Sequence, residues 1–92
     1  MPEVHLTLTW PDGRTSELYS PSTVILEALR PGDRLAVADL CSRGREGLRR
    51  ASERVRARYG FACTRADEEE RRLLQLAAAY DPAAMVSVAA AH

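Results

Sequence analysis

The stretch from Asp39 to Tyr59 constrains the fold more than any other part of the chain, because it keeps one hydrophobic period throughout and contains no proline. Its apolar and small residues recur at steps of three and four, the spacing of one face of an α-helix. The members of this stripe are Leu40, Gly44, Leu48, Ala51, Val55 and Tyr59. A helix with such a stripe must bury it against another element, so the sequence predicts one long amphipathic helix lining the core.

The N-terminal segment predicts an antiparallel β-hairpin. Apolar and polar residues alternate from Val4 to Trp10, which is the period of a strand with one buried face. Pro11, Asp12 and Gly13 supply turn chemistry, and a more polar return strand is expected from about Arg14 to Ser20. A lone hairpin is marginally stable in water, so its apolar face needs the stripe of the long helix against it.

The segment between the hairpin and the long helix predicts a second, shorter element. Ser20 to Thr23 resemble a helix start with a hydroxyl cap, followed by a short helix from Val24 to Leu29. The β-branched residues Val24 and Ile25 keep a strand open as the alternative. Leu35 to Ala38 is expected to be extended. Asp39 is expected either to cap the long helix or to interact, through its negative charge, with the positive end of the helix dipole.

The residues after Gly60 predict a second helix. Glycine is the usual residue just past a helix C-terminus, and Thr64 with Asp67 fits the start of a new helix. This helix is expected to end at Asp81 and Pro82. Its expected buried side consists of Ala66, Leu73, Leu74, Ala77 and Tyr80.

The fold class that follows is α+β. We expect one domain over residues 1–82, because 92 residues suffice for one small core and not for two. In it the hairpin packs on two antiparallel C-terminal helices, with a short extra helix or a third strand between hairpin and helices. The apolar tail over residues 83–92 has no decisive period, so a short helix, an added strand, packing in an oligomer and disorder all stay open.

Composition restricts the function classes. The 13 basic residues are all arginine and are balanced by 13 acidic ones, which argues against a general nucleic-acid or membrane-surface binder. No stretch approaches the ~18 apolar residues of a membrane span, and the expected location is the cytoplasm. Cys41 and Cys63 lack the paired spacing of a zinc site, and we expect neither a metal nor a cofactor.

The long helix carries the strongest candidate binding residues. Arg43, Arg50 and Arg54 form a column along one edge of its apolar stripe. Guanidinium groups in a column suit a phosphate, a carboxylate ligand or an acidic partner surface. The alternative is a solvated helix edge, with each arginine paired to Glu46 or Glu53 at helical spacing.

The junction between the two helices supplies the remaining candidates, Tyr59 and Cys63. Cys63 precedes the expected start of the second helix, where backbone N–H groups and Arg65 would favour the reactive thiolate form. The alternative is a small buried residue beside Phe61. The candidate binding set is therefore Arg43, Arg50, Arg54, Tyr59 and Cys63, and no residue is assigned a catalytic role.

Four segments together resemble a family of small bacterial nitrogen starvation response proteins. They are Trp10-Pro11-Asp12-Gly13, Tyr19-Ser20-Pro21-Ser22-Thr23-Val24, Val37-Ala38-Asp39-Leu40 and Arg54-Val55-Arg56-Ala57-Arg58-Tyr59-Gly60-Phe61-Ala62-Cys63. The resemblance implies a gene cluster with a nitrilase-type hydrolase, a radical SAM enzyme, an acetyltransferase and a flavoprotein, linked to nitrogen limitation and to nitrile or cyanide use. It implies no biochemical activity and no catalytic residues.

The leading interpretation is a non-enzymatic accessory or interaction protein of a nitrogen-scavenging pathway. We expect it to form a homo-oligomer or to be a subunit of one cluster enzyme, because a small chain gains stability by sharing surface. One alternative is a small-molecule-binding or enzyme-like domain that uses the arginine column and Cys63 on an anionic or nitrogenous ligand. Another is a regulator that contacts nucleic acid through the arginine helix, although the neutral overall charge argues against nucleic acid as a partner.

Overall fold

A four-stranded antiparallel sheet packed against two helices forms the fold in the computed structural model, which describes residues 3–60 and 64–90. The elements are β1 (Val4–Thr9), β2 (Thr15–Ser20), a 3-10 helix (Thr23–Glu27), β3 (Arg34–Ala36), α1 (Val37–Tyr59), α2 (Thr64–Ala77) and β4 (Met85–Ala90). The strand order is β2-β1-β4-β3, and all neighbours are antiparallel. The α+β class expected from the sequence is confirmed.

The predicted hairpin is present with the predicted turn. Leu6 of β1 lies opposite Leu18 of β2, and both side chains are buried. The Trp10 N–H donates to the Arg14 carbonyl at 2.8 Å, which closes the reversal. Gly13 has a φ of 88°, the left-handed conformation that glycine adopts without steric cost.

The tail forms an added strand, one of the alternatives left open by the sequence. Strand β4 pairs with β1 on one side and with β3 on the other, so it lies inside the sheet. Val86 and Val88 are buried in the core, while Met85 and Ser87, which alternate with them along the strand, are exposed. The hairpin is thereby extended to four strands, and the segment near Leu35 supplies the edge strand β3.

Helix α1 begins at Val37, two residues before the expected Asp39. The reason is a cap that comes from a distant part of the chain. The Val37 N–H donates to the Ala84 carbonyl at 2.8 Å, and the Ala38 N–H donates to the Pro82 carbonyl at 3.0 Å. These bonds satisfy N–H groups that the first turn of a helix leaves without partners. Asp39 lies in the first turn, where its negative charge interacts favourably with the positive end of the helix dipole.

The shorter elements differ from their expected form in length and type. The segment expected as a short helix from Val24 to Leu29 is a 3-10 helix, capped by the Ser22 hydroxyl, which accepts from the Val24 N–H at 3.3 Å. Helix α2 ends at Ala77, and Tyr80 lies beyond it, half-buried. At the end of α1, Gly60 has a φ of 82° and its N–H donates to the Arg56 carbonyl, as expected for a C-terminal glycine.

The apolar stripe of α1 is buried from Leu40 to Val55, but its last member is not. The Tyr59 side chain is 48% exposed, which corrects its assignment to the buried stripe. The two glycines of α1 that face the core, Gly44 and Gly47, each have a close neighbour. A Cβ at Gly44 would lie 2.5 Å from Cδ2 of Leu73 on α2, and a Cβ at Gly47 would overlap Ile25 of the 3-10 helix.

We predict that Gly44→Ala destabilises the protein by about 1 kcal/mol, because overpacking against buried Leu73 outweighs the helix propensity gained. In a Leu73→Ala background the same substitution becomes stabilising by about 1 kcal/mol, since the clash is gone and the propensity gain remains. Urea unfolding of the four proteins in this cycle measures both values. A Gly44→Ala effect with the same sign in both backgrounds would contradict the packing argument.

Candidate functional site

The solvent side of α1 is rich in arginine. We call it the arginine surface and define it as Arg43, Arg45, Arg49, Arg50, Arg54, Arg56 and Arg58, all of which are exposed. Only two acidic residues, Glu46 and Glu53, lie between Arg43 and Arg58, so this stretch has a formal charge of +5. Because the whole chain is neutral, all other residues together carry −5. Overall neutrality therefore conceals a basic helix surface.

One flank of the arginine surface faces the 3-10 helix. Arg43 and Arg50 line a hollow of about 210 Å³ together with Glu27, Ala28 and Glu46. Nη1 of Arg50 lies 3.7 Å from Oε2 of Glu27. The two carboxylates in the hollow balance the two guanidinium groups, so its formal charge is zero. This balance makes the hollow poorly suited to a small anion.

The other candidates named from the sequence lie apart from this hollow. Arg54 and Tyr59 are further along α1, and the guanidinium carbon of Arg58 is 6.0 Å from the centre of the Tyr59 ring. Cys63 lies outside the described residues. The structure therefore brings together Arg43 and Arg50 of the five candidates and does not place Arg54 or Tyr59 with them.

The opposite flank of the arginine surface contacts α2 through an acidic residue that the sequence reasoning did not select. Oε1 of Glu70 accepts from Nε of Arg49 at 3.0 Å and lies 3.6 Å from Nε of Arg45. The ion pairs expected from the sequence involved only Glu46 and Glu53, which lie on α1 itself. The acidic run from Asp67 to Glu70 was the available signal, because antiparallel packing brings its end beside α1.

Four arginines of the surface have no ionic partner in the described parts of the chain, and one of them, Arg58, lies over the Tyr59 ring. The other three are Arg43, Arg54 and Arg56, whereas Arg45, Arg49 and Arg50 pair with Glu70 or Glu27. An exposed guanidinium without a partner loses no internal contact when it binds another molecule. These three side chains are therefore the ones available to a partner.

A second surface feature is an apolar groove between the start of α1 and the end of α2. It has a volume of about 560 Å³ and is lined by Val37, Ala38, Cys41, Leu74, Ala77, Ala78, Tyr80 and Pro82. Tyr80 is held in place at one side of the groove, because its ring stacks on that of Trp10 with 5.1 Å between the ring centres and an interplanar angle of 5°. The Tyr80 hydroxyl also donates to Oδ2 of Asp12 at 3.0 Å.

The ionisable groups around the groove have shifted pKa values with clear causes. Burial is the main cause that raises the pKa of the Cys41 thiol, and Arg45 opposes it. Burial also raises the pKa of Tyr80, and the hydrogen bond to Asp12 adds to it. The Arg14 backbone N–H is the main donor that lowers the pKa of Asp12, and the Tyr80 hydroxyl contributes. The groove thiol is therefore in its unreactive form at neutral pH.

The edge of β2 is closed by side chains of α2. Oε1 of Glu69 accepts from the Tyr19 N–H at 2.8 Å, and Arg72 donates to the Glu17 carbonyl. The Arg65 guanidinium lies 3.8 Å above the centre of the Tyr19 ring. Free N–H and C=O groups on an edge strand are a template for another strand. Glu69 and Arg72 occupy two of these groups, so this edge is protected.

Histidine and acidic side chains meet on the outer face of the hairpin. Nδ1 of His5 lies 2.5 Å from Oε1 of Glu17, and Nε2 lies 3.8 Å from Oε1 of Glu3. Within residues 3–60 and 64–90, no three histidine, cysteine or acidic side chains are grouped so that they could hold a metal ion. In the same residues, no helix combines the length and the apolar character needed to cross a membrane.

A family model described as nitrogen starvation-induced protein NitG matches residues 5–91. The chain belongs to the NitG family. This confirms the resemblance drawn from the four sequence segments, and it makes the chain a member of a nitrogen starvation-induced family. No curated protein and no solved structure matches the chain. The gene cluster expected around NitG stays a prediction.

We predict that Cys41 of this NitG-family protein alkylates slowly at neutral pH, because its raised pKa keeps the thiol protonated and its side chain is half-buried. In a Cys63→Ser variant, the iodoacetamide rate should rise only at alkaline pH. The matched Cys41→Ser variant measures the alkylation rate of Cys63 alone. If the Cys63 thiol is activated, as the sequence suggests, it should be labelled at low pH. Rapid labelling of Cys41 at neutral pH would contradict its burial.

We also predict that Glu69→Ala with Arg72→Ala produces self-association, because it uncovers the β2 edge. Sedimentation should show a larger species than the parent protein forms at the same concentration. The matched control is Arg49→Ala with Glu70→Ala, which removes an ion pair of α1 and α2 away from the edge. Equal sedimentation of all three proteins would show that the two side chains do not protect the edge.

Proposed function

We propose that this NitG-family protein is a non-enzymatic accessory protein of a nitrogen-limitation pathway that scavenges nitriles or cyanide. In this proposal it acts by binding an acidic surface of one pathway enzyme through the arginine surface of α1. The observation that carries the proposal is the formal charge of +5 on the outer side of one helix in a protein with no net charge. The family membership supports the setting of nitrogen starvation.

The shape and chemistry of the arginine surface favour a protein partner over a small ligand. The seven guanidinium groups are spread along the exposed side of a 23-residue helix, so together they meet a broad surface. Arginine is enriched at protein interfaces because its planar fork binds carboxylates in two places and its stem packs on apolar surface. The positive electrostatic field of the arginine surface also speeds the association with an acidic partner.

Two observations favour a different protein over a second copy of this chain as the partner. The acidic run on α2 is partly used internally, because Glu69 pairs with Arg72 and Glu70 pairs with Arg45 and Arg49. The β2 edge is also covered, which removes one route to edge-to-edge pairing. A complex with a different protein is therefore the assembly we propose, and a homo-oligomer is an alternative outcome of the test.

The test is capture of the partner from nitrogen-starved cells by the tagged protein, with the bound proteins identified by mass spectrometry. We expect an enzyme of the pathway to be retained at about 50 mM NaCl and released at about 300 mM, because salt screens exposed charges. The decisive variant removes three arginines that have neither an ion pair nor an aromatic contact in the described residues, and glutamine keeps their helix propensity. It combines Arg43→Gln, Arg54→Gln and Arg56→Gln.

This variant should weaken binding about tenfold, the loss expected when several charges at the rim of an interface are removed. Its control removes the same number of charges elsewhere on the surface, through Arg14→Gln, Arg30→Gln and Arg34→Gln, and should bind like the parent. Equal retention of both triple variants would refute the role of the arginine surface. Retention of nucleic acid that disappears after nuclease treatment would assign the surface to nucleic acid, and a species of several identical chains would assign it to self-assembly.

A further inference from the structure

The carboxylates that neutralise the arginine surface are distributed unevenly along α1. Glu46 and Glu53 belong to α1 itself, and residues three or four positions away on a helix are their neighbours. The arginines at this spacing from one or both of them are Arg43, Arg49, Arg50 and Arg56. Two further carboxylates come from other elements, since Glu70 pairs with Arg45 and Arg49 and Glu27 pairs with Arg50. Five of the seven arginines therefore have a carboxylate beside them.

The middle of the arginine surface is consequently a poor place for an acidic partner. Glu46 and Glu53 line a hollow of about 370 Å³ together with Ser42, Arg45, Arg49 and Arg50. A partner carboxylate that enters this hollow meets two like charges, which repel it. It also has to compete with Glu70 for the two guanidinium groups that Glu70 already holds.

The C-terminal end of α1 is different. Within the described residues, Arg54 and Arg58 are the two arginines of the surface that have neither an ion pair nor a carboxylate three or four positions away. They are separated by four residues, so they lie on the same side of α1 with a rise of about 6 Å between them. Two positive charges are therefore left without a local counter-charge at this end.

Tyr59 lies beside these two arginines and is exposed. The guanidinium carbon of Arg58 is 6.0 Å from the centre of the Tyr59 ring. A guanidinium over an aromatic ring keeps its charge, and the N–H donors at its edge stay available to a carboxylate. Tyrosine and arginine are also the side chains that most often dominate the binding energy of a protein interface.

We infer that Arg54 and Arg58 are the anchor residues of the arginine surface and bind two neighbouring carboxylates of the partner protein. One guanidinium fork binds one carboxylate in two places, so two forks one helical turn apart fit two acidic side chains at a similar separation. This inference rests on the proposed function, because it specifies where the acidic partner is held. The other five arginines contribute to the long-range field and not to the anchor.

The experiment measures the binding of a fluorescent oligoglutamate peptide to the full chain by anisotropy, at about 50 mM NaCl so that exposed charges are weakly screened. The test variant is Arg54→Gln with Arg58→Gln. The control is Arg45→Gln with Arg49→Gln, which removes the same charge at the same helical spacing from the arginines that Glu70 holds. Glutamine keeps the helix propensity in both variants, and thermal unfolding checks that both fold.

The test variant should weaken binding of the peptide at least about tenfold, because both anchors are lost. The control should weaken it less than about threefold, because its arginines are already partnered and act only through the long-range field. Amide chemical shifts of the parent protein provide a second measurement. On addition of the peptide, the amides of Arg54, Arg58 and Tyr59 should move more than those of Arg45 and Arg49.

Two results would overturn the inference. One is the absence of peptide binding to the parent protein, and the other is equal weakening by the two double variants. Equal weakening together with loss of the pathway enzyme in the triple glutamine variant of α1 would remove the anchor and leave the proposed function standing. Peptide binding that depends on Arg54 and Arg58, with no pathway enzyme retained from cells, would support the anchor and refute the proposed partner.

Discussion

The close approach of two side chains to the glycines of α1 sets the spacing of the whole fold. Leu73 of α2 lies against Gly44, and Ile25 of the 3-10 helix lies against Gly47, where any side chain would overlap them. Because protein interiors are packed as densely as organic crystals, these contacts fix how near each neighbour lies to α1. The remaining stripe of α1 then covers the sheet. The arginines remain on the outer side of the helix because this inner side admits only small or apolar residues.

The elements that the sequence predicted well are those specified by local patterns. Alternation from Val4 to Trp10, the turn at Gly13 and the period of α1 each act within one segment, and all three appear in the structure. The features that differed depend on residues far apart in the chain. Helix α1 begins early because carbonyls near residue 84 cap it, and β4 is a strand because β1 and β3 flank it. Its alanine-rich sequence alone carries too little periodicity to decide between a strand and the alternatives.

The candidate site shows the same division. The sequence identified the arginines of α1, since their positions on a helical wheel follow from the helix alone. It did not identify their partners, because Glu27 and Glu70 come from other elements and depend on how those elements pack. The apolar groove was also missed. Leu74 and Tyr80 were expected on the buried side of α2, and only the structure shows that they are half-buried and face a hollow.

The position of β4 inside the sheet has a consequence for how the protein folds. The β1–β2 hairpin is local in sequence, but the other edge of β1 finds its partner only after a loop containing both helices has closed. Contacts between residues distant in sequence slow folding, because the entropy of loop closure is lost before the contacts form. Until β4 arrives, the inner edge of the hairpin is open to strands from other molecules. Any partly folded chain that lacks β4 is therefore more prone to aggregation than the native state.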